Sequence, residues 1–295
     1  MRFRPIYLSA LVLTAALGAG CDVHVGDNGV SLDVAGGRAR EEWSRTYSLA
    51  KGGSLEIVNT NGPIVVNAAS GSQVEVLAIR QARAGTEEEA QALLKETAIA
   101  EEVSPNRVAI QTPNGNGILR GRRSISVEYQ VKVPAGVQIT VKTENGGIGL
   151  HDVDGDVTAS TTNGGIRGTN LAGAVSAHIV NGGIVMGVAR VAGPIKLDAV
   201  NGGIRLDVPT GVNADLEAHA VNGGVSTDDG FAITVSERSR TRVSGKLNAG
   251  GTPITLSTVN GGVRIGMFKP GASAQEGDKE AFEQSGATVV AEKKR

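Results

Sequence analysis

An Asn-Gly pair followed by Gly or Pro and then by Ile or Val recurs seven times, and this repeat limits the folds open to the chain. From Asn145 onward the successive spacings are 18, 18, 20, 21 and 38 residues. A near-constant period of this length indicates one small structural unit that is stacked many times. Because the last interval equals about two units, we expect it to contain one degenerate unit. The repeated asparagines are Asn61, Asn145, Asn163, Asn181, Asn201, Asn222 and Asn260.

The residues around each asparagine alternate between apolar and polar types. Three positions are apolar in every repeat, namely those six and four residues before the asparagine and three residues after it, although only 40% of the chain is apolar. Alternation with a period of two predicts β-strands that bury one face. The residues that we expect to be buried are Leu55, Ile57, Ile64, Ile139, Val141, Ile148, Val157, Ala159, Ile166, Val175, Ala177, Ile184, Ile195, Leu197, Ile204, Leu216, Ala218, Val225, Ile254, Leu256 and Val263.

Two β architectures are compatible with this pattern, because Asn-Gly also forms the two-residue turns of β-hairpins. An antiparallel meander would use it in that way. The nearly constant unit length and the identical register favour coils that stack on one another. We therefore predict an all-β fold, a β-solenoid resembling a parallel β-helix, with two or three strands per coil and coils about 4.8 Å apart. Glycine corners and a column of hydrogen-bonded Asn side chains complete the predicted coil.

The N-terminus has the pattern of an export signal. Arg2 and Arg4 precede an apolar stretch at residues 6–17 that is too short to span a bilayer comfortably. The only cysteine, Cys21, follows a Leu-Gly-Ala-Gly run and resembles the lipobox of bacterial lipoproteins, whose cysteine is diacylated while the preceding peptide is removed. The alternative is ordinary secretion in which Cys21 is incidental. The lipobox interpretation makes a membrane the first expected partner, through the N-terminal lipid.

An insertion separates the first repeat from the others. A Thr-Glu-Glu-Glu capping box at Thr86 predicts a helix, and we expect residues 86–103 to pack as a cap over one end of the solenoid. Alternating residues predict strands at 74–83, 107–111 and 124–133. The predicted segments are a lipoprotein signal peptide at 1–20, the lipidated Cys21 with a tether at 21–45, the first coil with a strand–helix–strand insertion at 46–136, solenoid repeats at 137–266 and a loose C-terminal tail at 267–295.

These features together are similar to one bacterial family. An export leader, an early Leu-Glu-Ile-Val-Asn-Thr-Asn-Gly motif that ends at Gly62, a helical insertion and a series of Asn-Gly-Gly-Ile units resemble the putative-adhesin family of unknown function with β-strand repeats. The resemblance covers about residues 46–266. It implies the solenoid architecture and a location in the cell envelope. It implies no catalytic residues, since the family has no accepted catalytic motif.

One outward column of the predicted solenoid contains candidate metal ligands. Three residues before successive asparagines stand His178, Asp198 and His219, which would lie on adjacent coils about 5 Å apart. Two imidazoles and a carboxylate can bind a metal ion or act as a weak acid–base pair. The simpler interpretation, which we favour, is a solvated stripe of mixed polar residues. We therefore assign no metal.

A second outward column carries positive charge. Arg167, Arg205 and Arg264 each stand four residues after an asparagine, and such a column can bind an acidic glycan or lipid phosphates. Charge that keeps a strand face soluble is the simpler alternative. An Asp-rich run at residues 152–156 has calcium-binding character, but Asp is also common in turns. The interval between Gly224 and Asn260 is where we expect a loop to depart from the solenoid.

Composition and the lack of known motifs argue against several classes of function. Basic and acidic residues number 29 and 30, which argues against nucleic acid as a partner, and a single cysteine excludes an intramolecular disulfide. The sequence has no catalytic or cofactor-binding motif, so we expect no enzyme activity and no cofactor. We predict an exported, lipid-anchored envelope lipoprotein, on either membrane or at the cell surface, whose solenoid is a scaffold for an unknown envelope protein or glycan. The alternative is a carbohydrate-active enzyme or binding protein for an acidic envelope polysaccharide.

Overall fold

The computed structural model describes residues 21–26, 29–34, 36–112 and 123–268, and it describes side chains from residue 36 onward within those ranges. The predicted signal peptide at 1–20 and all but the first two residues of the predicted tail lie outside the described part. Within that part, no helix is both long enough and apolar enough to cross a membrane.

The described chain contains many strands and one helix. In chain order these elements are β1 (Cys21–Gly26), β2 (Gly29–Val34), β3 (Gly37–Tyr47), β4 (Ser54–Asn61), β5 (Ile64–Ala68), β6 (Val74–Ala84), α1 (Glu87–Glu96), β7 (Ala100–Ser104), β8 (Arg107–Gln111), β9 (Ser124–Val133), β10 (Gln138–Asn145), β11 (Ile148–His151), β12 (Val157–Asn163), β13 (Ile166–Leu171), β14 (Val175–Asn181), β15 (Ile184–Val188), β16 (Ile195–Asn201), β17 (Ile204–Val208), β18 (Ala214–Asn222), β19 (Val225–Thr227), β20 (Thr234–Arg238), β21 (Arg242–Leu247), β22 (Thr252–Asn260) and β23 (Val263–Met267).

Each Asn-Gly-Gly coil contributes one strand to each of two sheets. Sheet 1 has the order β20-β21-β18-β22-β16-β14-β12-β10-β4-β8-β7, and sheet 2 has the order β19-β23-β17-β15-β13-β11-β5-β9-β6-β3. Like strands pair in parallel, with each repeated asparagine opposite the next one. The prediction of a β-solenoid is therefore confirmed, with two strands per coil. The meander alternative is wrong because its neighbouring strands would be antiparallel.

The core lies between the two sheets and consists of the aliphatic residues that alternate along each strand. The predicted inward residues are at most 3% exposed, except for Val225. Val225 lies in the coil at the C-terminal end of the stack and is only partly buried. Burying aliphatic side chains of this size stabilises the fold by about 1.5–3 kcal/mol each. The interior is thin, since small residues such as Ala159 and Ala177 alternate with the larger aliphatics.

The corner after each sheet 1 strand is held by a ladder of asparagine side chains. The Nδ2 group of one asparagine donates to Oδ1 of the next at 2.8–2.9 Å, in the order Asn222, Asn260, Asn201, Asn181, Asn163, Asn145 and Asn61. Every bond in the ladder points the same way. This arrangement confirms the predicted column. It gives each side-chain amide a protein partner in place of water.

The first glycine after each asparagine is required because neighbouring corners approach closely. At Gly182 the φ angle is +138°, and a Cβ there would overlap the carbonyl oxygen of Gly164 in the next coil. The second glycine of the corner has more space, since a Cβ at Gly183 would stand 3.5 Å from the nearest carbonyl oxygen. The first repeat agrees with this difference, because it carries a proline, Pro63, at the second position.

The coils do not stack in chain order at the C-terminal end. The β22/β23 coil, which carries Asn260, lies between the coils of Asn201 and Asn222, so the last coil in sequence is the penultimate coil in space. The interval that we expected to hold a degenerate unit instead forms β20 and β21, an antiparallel pair that adds to β18 and covers that end of sheet 1. Both the degenerate unit and the departing loop were therefore wrong predictions.

The N-terminal end is also built out of chain order. Strands β8 and β9 fall where sequence alternation predicts strands, and they pair in parallel with β4 and β5 to make a further coil outside the first repeat. Strand β3 forms the last strand of sheet 2 and pairs with β6 along its whole length. The prediction of a tether at 21–45 is therefore wrong for residues 37–45. Charged, largely exposed residues of this edge strand hide its apolar alternation.

Helix α1 packs on the inner faces of β3 and β6 at this end of the molecule. The hydroxyl of Thr86 accepts the backbone N–H of Glu89, as the capping box predicts, and Ala90, Leu93 and Leu94 are buried against the sheet. The helix is shorter than the predicted cap, since residues 100–104 form β7. Buried Arg80 of β6 donates to the carbonyl oxygens at the helix C-terminus, those of Leu94 and Thr97, and pairs with a carboxylate of β3.

The two corner glycines provide a matched test of coil stacking. We expect Gly182→Ala to lower the free energy of unfolding by at least about 2 kcal/mol, because its Cβ meets backbone in the neighbouring coil and its φ is positive. Gly183→Ala is the control and should change it by less than about 0.5 kcal/mol. Urea denaturation followed by circular dichroism measures both. Equal effects would contradict the stacking described above.

The attachment of α1 is tested at Arg80. We expect Arg80→Met to destabilise the fold by about 2 kcal/mol, because it leaves the carbonyl groups at the end of α1 buried without a donor. Arg83→Met, on the same strand but exposed, is the control and should have little effect. Thermal unfolding and protease sensitivity near residue 96 report the change. Identical stability of the two variants would show that Arg80 does not hold the helix.

Candidate functional site

The predicted histidine stripe is interrupted by the order of the coils. His178 lies opposite Asp198 on the neighbouring strand, but the next residue across the sheet is Ser257. His219 follows Ser257. His219 is therefore two strand spacings, roughly 10 Å, from Asp198, and the prediction of three ligands on adjacent coils is wrong. Asp198 instead lies 3.6 Å from Nζ of Lys196 on its own strand.

The predicted arginine column is also divided. Across sheet 2 the order is Arg167, Val185, Arg205, Arg264 and Ser226, so Val185 separates Arg167 from the other two arginines. Arg205 and Arg264 are direct neighbours. The structure therefore brings together two of the three predicted anion-binding residues, at the C-terminal end of the solenoid.

Two aspartates complete a charged cluster around these arginines. The Nε group of Arg205 donates to Oδ2 of Asp207 at 2.9 Å, and Nε of Arg264 donates to Oδ1 of Asp228 at 2.6 Å. A terminal nitrogen of Arg205 lies 3.7 Å from Oδ2 of Asp228, which links the two pairs. We call this set of four residues the Arg–Asp cluster. It contains equal numbers of positive and negative groups.

A glycine provides the space in which the two carboxylates meet. Gly266 lies between Asp207 and Asp228 in the same outward column, and a Cβ at Gly266 would overlap an oxygen of each. The oxygen on the Asp207 side, Oδ1, is shielded from solvent and has no hydrogen-bond partner. The arginines are more accessible, since the side chain of Arg264 is 59% exposed.

An aromatic ring borders the cluster. Gly187 lies opposite Asp207 on the next strand, and the ring of Phe268 packs on it, with ring carbons 3.0 and 3.1 Å from the position that a Cβ would take. Phe268 follows β23 directly, where its N–H donates to the carbonyl oxygen of Val208 at 2.8 Å. The ring is partly exposed, so the cluster has an apolar surface next to its polar groups.

Sequence reasoning did not place Asp207, Asp228 and Phe268 at a common site; it interpreted Asp228 only as part of an Asp-Asp-Gly turn. The two aspartates stand six residues after their asparagines, so the repeat register alone could place them in one outward column with Gly266. The register could not show that they are close, because that depends on which coil lies between them. Phe268 stands just after the last strand, where the repeat pattern no longer applies.

Other charged residues serve the fold. In the Asp-rich run, Asp152 accepts a hydrogen bond from Asn170, Asp154 pairs with Arg190, and Oδ1 of Asp156 accepts a backbone N–H. The contacts of Asp152 and Asp156 join adjacent coils, and the Asp154–Arg190 pair joins coils that are two apart. Within the described ranges, no group of three or more histidine, cysteine or acidic residues is arranged to hold a metal ion.

One further ion-pair group lies at the N-terminal end of sheet 1. The carboxylate of Glu56 accepts a hydrogen bond from Arg107 at 2.8 Å, and Nζ of Lys142 lies 3.6 Å away. The bond from Arg107, followed by the charge of Lys142, holds the pKa of Glu56 below its ordinary value despite partial burial. Because Arg107 belongs to β8, this contact attaches the additional coil to the first repeat.

Zinc binding tests the divided histidine stripe. When zinc is titrated into the protein, we expect the same heat of binding for the unsubstituted chain, for His178→Ala and for His219→Ala. The reason is that the two imidazoles do not share a site. Isothermal calorimetry with EDTA-treated protein measures this. Loss of the same binding step in both variants would mean that the two side chains meet at one metal ion.

Comparison with known proteins agrees with the repeat architecture. Residues 156–266 match the family described as Toastrack DUF4097. No curated protein is detectably similar to the chain. Among solved structures, a putative cell adhesion protein from Clostridium sporogenes is 12% identical, with a TM-score of 0.42, over 78% of this chain and 100% of that one.

Two further solved structures align with a similar share of this chain. A putative adhesin from Bacteroides fragilis is 9% identical, with a TM-score of 0.29, and a putative lipid binding protein from Parabacteroides distasonis is 8% identical, with a TM-score of 0.30. Each aligns with 77% of this chain and 97% of its own. The family match confirms the resemblance found in the sequence, and it does so over residues 156–266 of the repeat region.

Proposed function

We propose that this protein is a non-enzymatic lipoprotein of the cell envelope, anchored through Cys21, whose solenoid is a scaffold for interactions. The observation that carries the proposal is the identical register of the coils. It places outward side chains in straight columns on two broad sheets. Columns of this kind provide a long, regular surface, which suits binding to an extended partner.

Both ends of the solenoid are covered, which supports a scaffold that does not pair edge to edge with other copies. At one end β20 and β21 add antiparallel strands to sheet 1. At the other end β3 is the edge strand of sheet 2, and α1 packs against the sheet there. Charged residues stand on both terminal strands of sheet 1, with Glu101 and Glu102 on β7 and Glu237 and Arg238 on β20. Charged edge strands oppose the edge-to-edge pairing that would otherwise join the rods.

The Arg–Asp cluster bears on the alternative of an enzyme or binding protein for an acidic polysaccharide. Such a ligand would need uncompensated positive charge, but the two neighbouring arginines are already paired with carboxylates. Pairing of this kind reduces the attraction for a polyanion. The electrostatic argument for the acidic-polymer alternative is therefore weaker than the sequence suggested.

The envelope location is supported by the leader sequence. The basic start, the short apolar stretch and Cys21 at its end have the order of a lipoprotein export signal. Strands β1 and β2 pair with each other just after the lipidation position, and the chain joins sheet 2 at β3, sixteen residues after Cys21, so the α1 end of the solenoid would be the end nearer to the lipid. The opposite end, which carries the Arg–Asp cluster, would then point away from the membrane.

Lipidation tests the anchor. In a bacterium that processes lipoproteins, we expect a clickable fatty acid to label the full-length protein and the protein to sediment with membranes. Cys21→Ser removes the only thiol and should abolish both the label and the sedimentation. Asp22→Ser is the matched control and should leave the label in place. Equal labelling of Cys21→Ser, or an unlabelled soluble original chain, would overturn the lipoprotein proposal.

The scaffold role is tested separately from the anchor. A tagged chain cross-linked in intact cells should capture a defined envelope component, and a deletion strain should show an envelope defect that the tagged chain corrects. Purified protein should leave acidic envelope polysaccharides intact, as judged by reducing-end release and chromatography. Reproducible cleavage of any such polymer would show that the chain is an enzyme.

A further inference from the structure

We propose that the Arg–Asp cluster together with Phe268 is a binding site for an uncharged saccharide. The proposal deepens the scaffold function above, because it names the class of partner for one surface of the solenoid. It assigns a site to the outer face of sheet 2, on the strands β15, β17, β23 and β19, at the end of the molecule away from α1.

The polar groups of the cluster match the hydroxyl groups of a sugar. Vicinal hydroxyls need donors and acceptors held in one plane, which carboxylate and guanidinium groups provide. Arg264 uses its Nε for Asp228 and is 59% exposed, so its terminal amino groups face solvent while the ion pair fixes their position. Asp228 is 24% exposed and has lone pairs left to accept hydroxyl protons.

The geometry of the cluster is fixed before any ligand binds. Its residues stand on paired strands of one sheet, and the bonds from Arg205 to Asp207 and from Arg264 to Asp228 hold the side chains in position. Groups that are already ordered lose less conformational entropy on binding. Gly266 is part of this arrangement because any side chain there would push the two carboxylates apart.

Phe268 supplies the apolar surface that sugar rings need. The C–H face of a pyranose packs against aromatic side chains. The ring of Phe268 packs on Gly187, which lies opposite Asp207 on the neighbouring strand, and Phe268 is partly exposed. The chain has only four phenylalanines, three tyrosines and one tryptophan. A partly exposed ring beside ordered polar groups also occurs at Trp43, but there the guanidinium of Arg45 already lies over the ring, 4.8 Å from its centroid.

Charge balance selects a neutral ligand over an acidic one. The four charged residues of the cluster cancel one another, and the pairs are close enough to neutralise their fields locally. An acidic polymer would be repelled by Asp207 and Asp228 about as strongly as it is attracted by the arginines. Hydroxyl groups interact well with both kinds of residue.

Calorimetry with defined oligosaccharides tests the site. The purified chain with Cys21→Ser and without its leader is titrated with the neutral probes laminarihexaose, maltohexaose and chitotetraose, and with polygalacturonate as the acidic probe. We expect at least one neutral probe to bind, with affinity little changed between low and moderate salt. Phe268→Leu and Arg264→Gln should each weaken that binding by about tenfold or more.

Arg40→Gln is the matched control, because it also breaks an exposed arginine–carboxylate pair, on β3 at the opposite end of sheet 2. It should leave binding unchanged. Gly266→Ala, which changes no charge, should weaken binding like Phe268→Leu. Circular dichroism and thermal midpoints identify any variant that is not folded, and conclusions are drawn from the folded ones.

The proposal is overturned if no neutral probe binds, if Phe268→Leu and Arg264→Gln bind as well as the original chain, or if polygalacturonate alone binds and is released by salt. These results leave the scaffold function untouched, because capture of an envelope component in cells is measured independently. Conversely, failure of the lipid label or of the cellular capture would not alter binding by the purified chain.

Discussion

The stacking of coils in identical register is the constraint on which the rest of the molecule depends. Parallel pairing puts each residue beside its counterpart in the next coil, so one favourable choice of residue is repeated along a whole column. Aliphatics form the core in this way, and asparagines form a ladder at 2.8–2.9 Å. The same closeness forbids side chains at the first corner glycine, where carbonyl oxygens of adjacent coils approach the backbone.

A stack of coils has two open ends, and this chain closes both by leaving chain order. At the N-terminal end β8 and β9 are placed outside the first repeat, and at the C-terminal end the Asn260 coil is placed inside the Asn222 coil. Antiparallel strands and α1 then cover the exposed backbone. The rearrangement at the C-terminal end also produces the Arg–Asp cluster, since it makes Arg205 and Arg264 neighbours and sets Gly266 between two aspartates.

The register could be predicted from sequence, whereas the order of the coils could not. Alternating aliphatics around each asparagine define the faces of every strand, so the buried positions follow directly. The coils of Asn222 and Asn260 carry the same pattern, however, and either could pair with the coil of Asn201 without losing a core residue. The antiparallel hairpin β20–β21 uses the free edge of β18, which leaves the inner position to β22. Edge strand β3 was missed because its charged, largely exposed residues hide its apolar alternation.

Cross-linking across sheet 1 tests the register and the coil order most directly. In a Cys21→Ser background, cysteines at Asp198 and Ser257 lie on paired strands, within the Cα separation that a disulfide allows, whereas Asp198 and His219 are two strand spacings apart. Under mild oxidation the account predicts an intramolecular disulfide in the Asp198→Cys, Ser257→Cys variant and none in the Asp198→Cys, His219→Cys variant, as measured by mass spectrometry. The opposite result would mean that the coils stack in chain order and that the Arg–Asp cluster does not form as described.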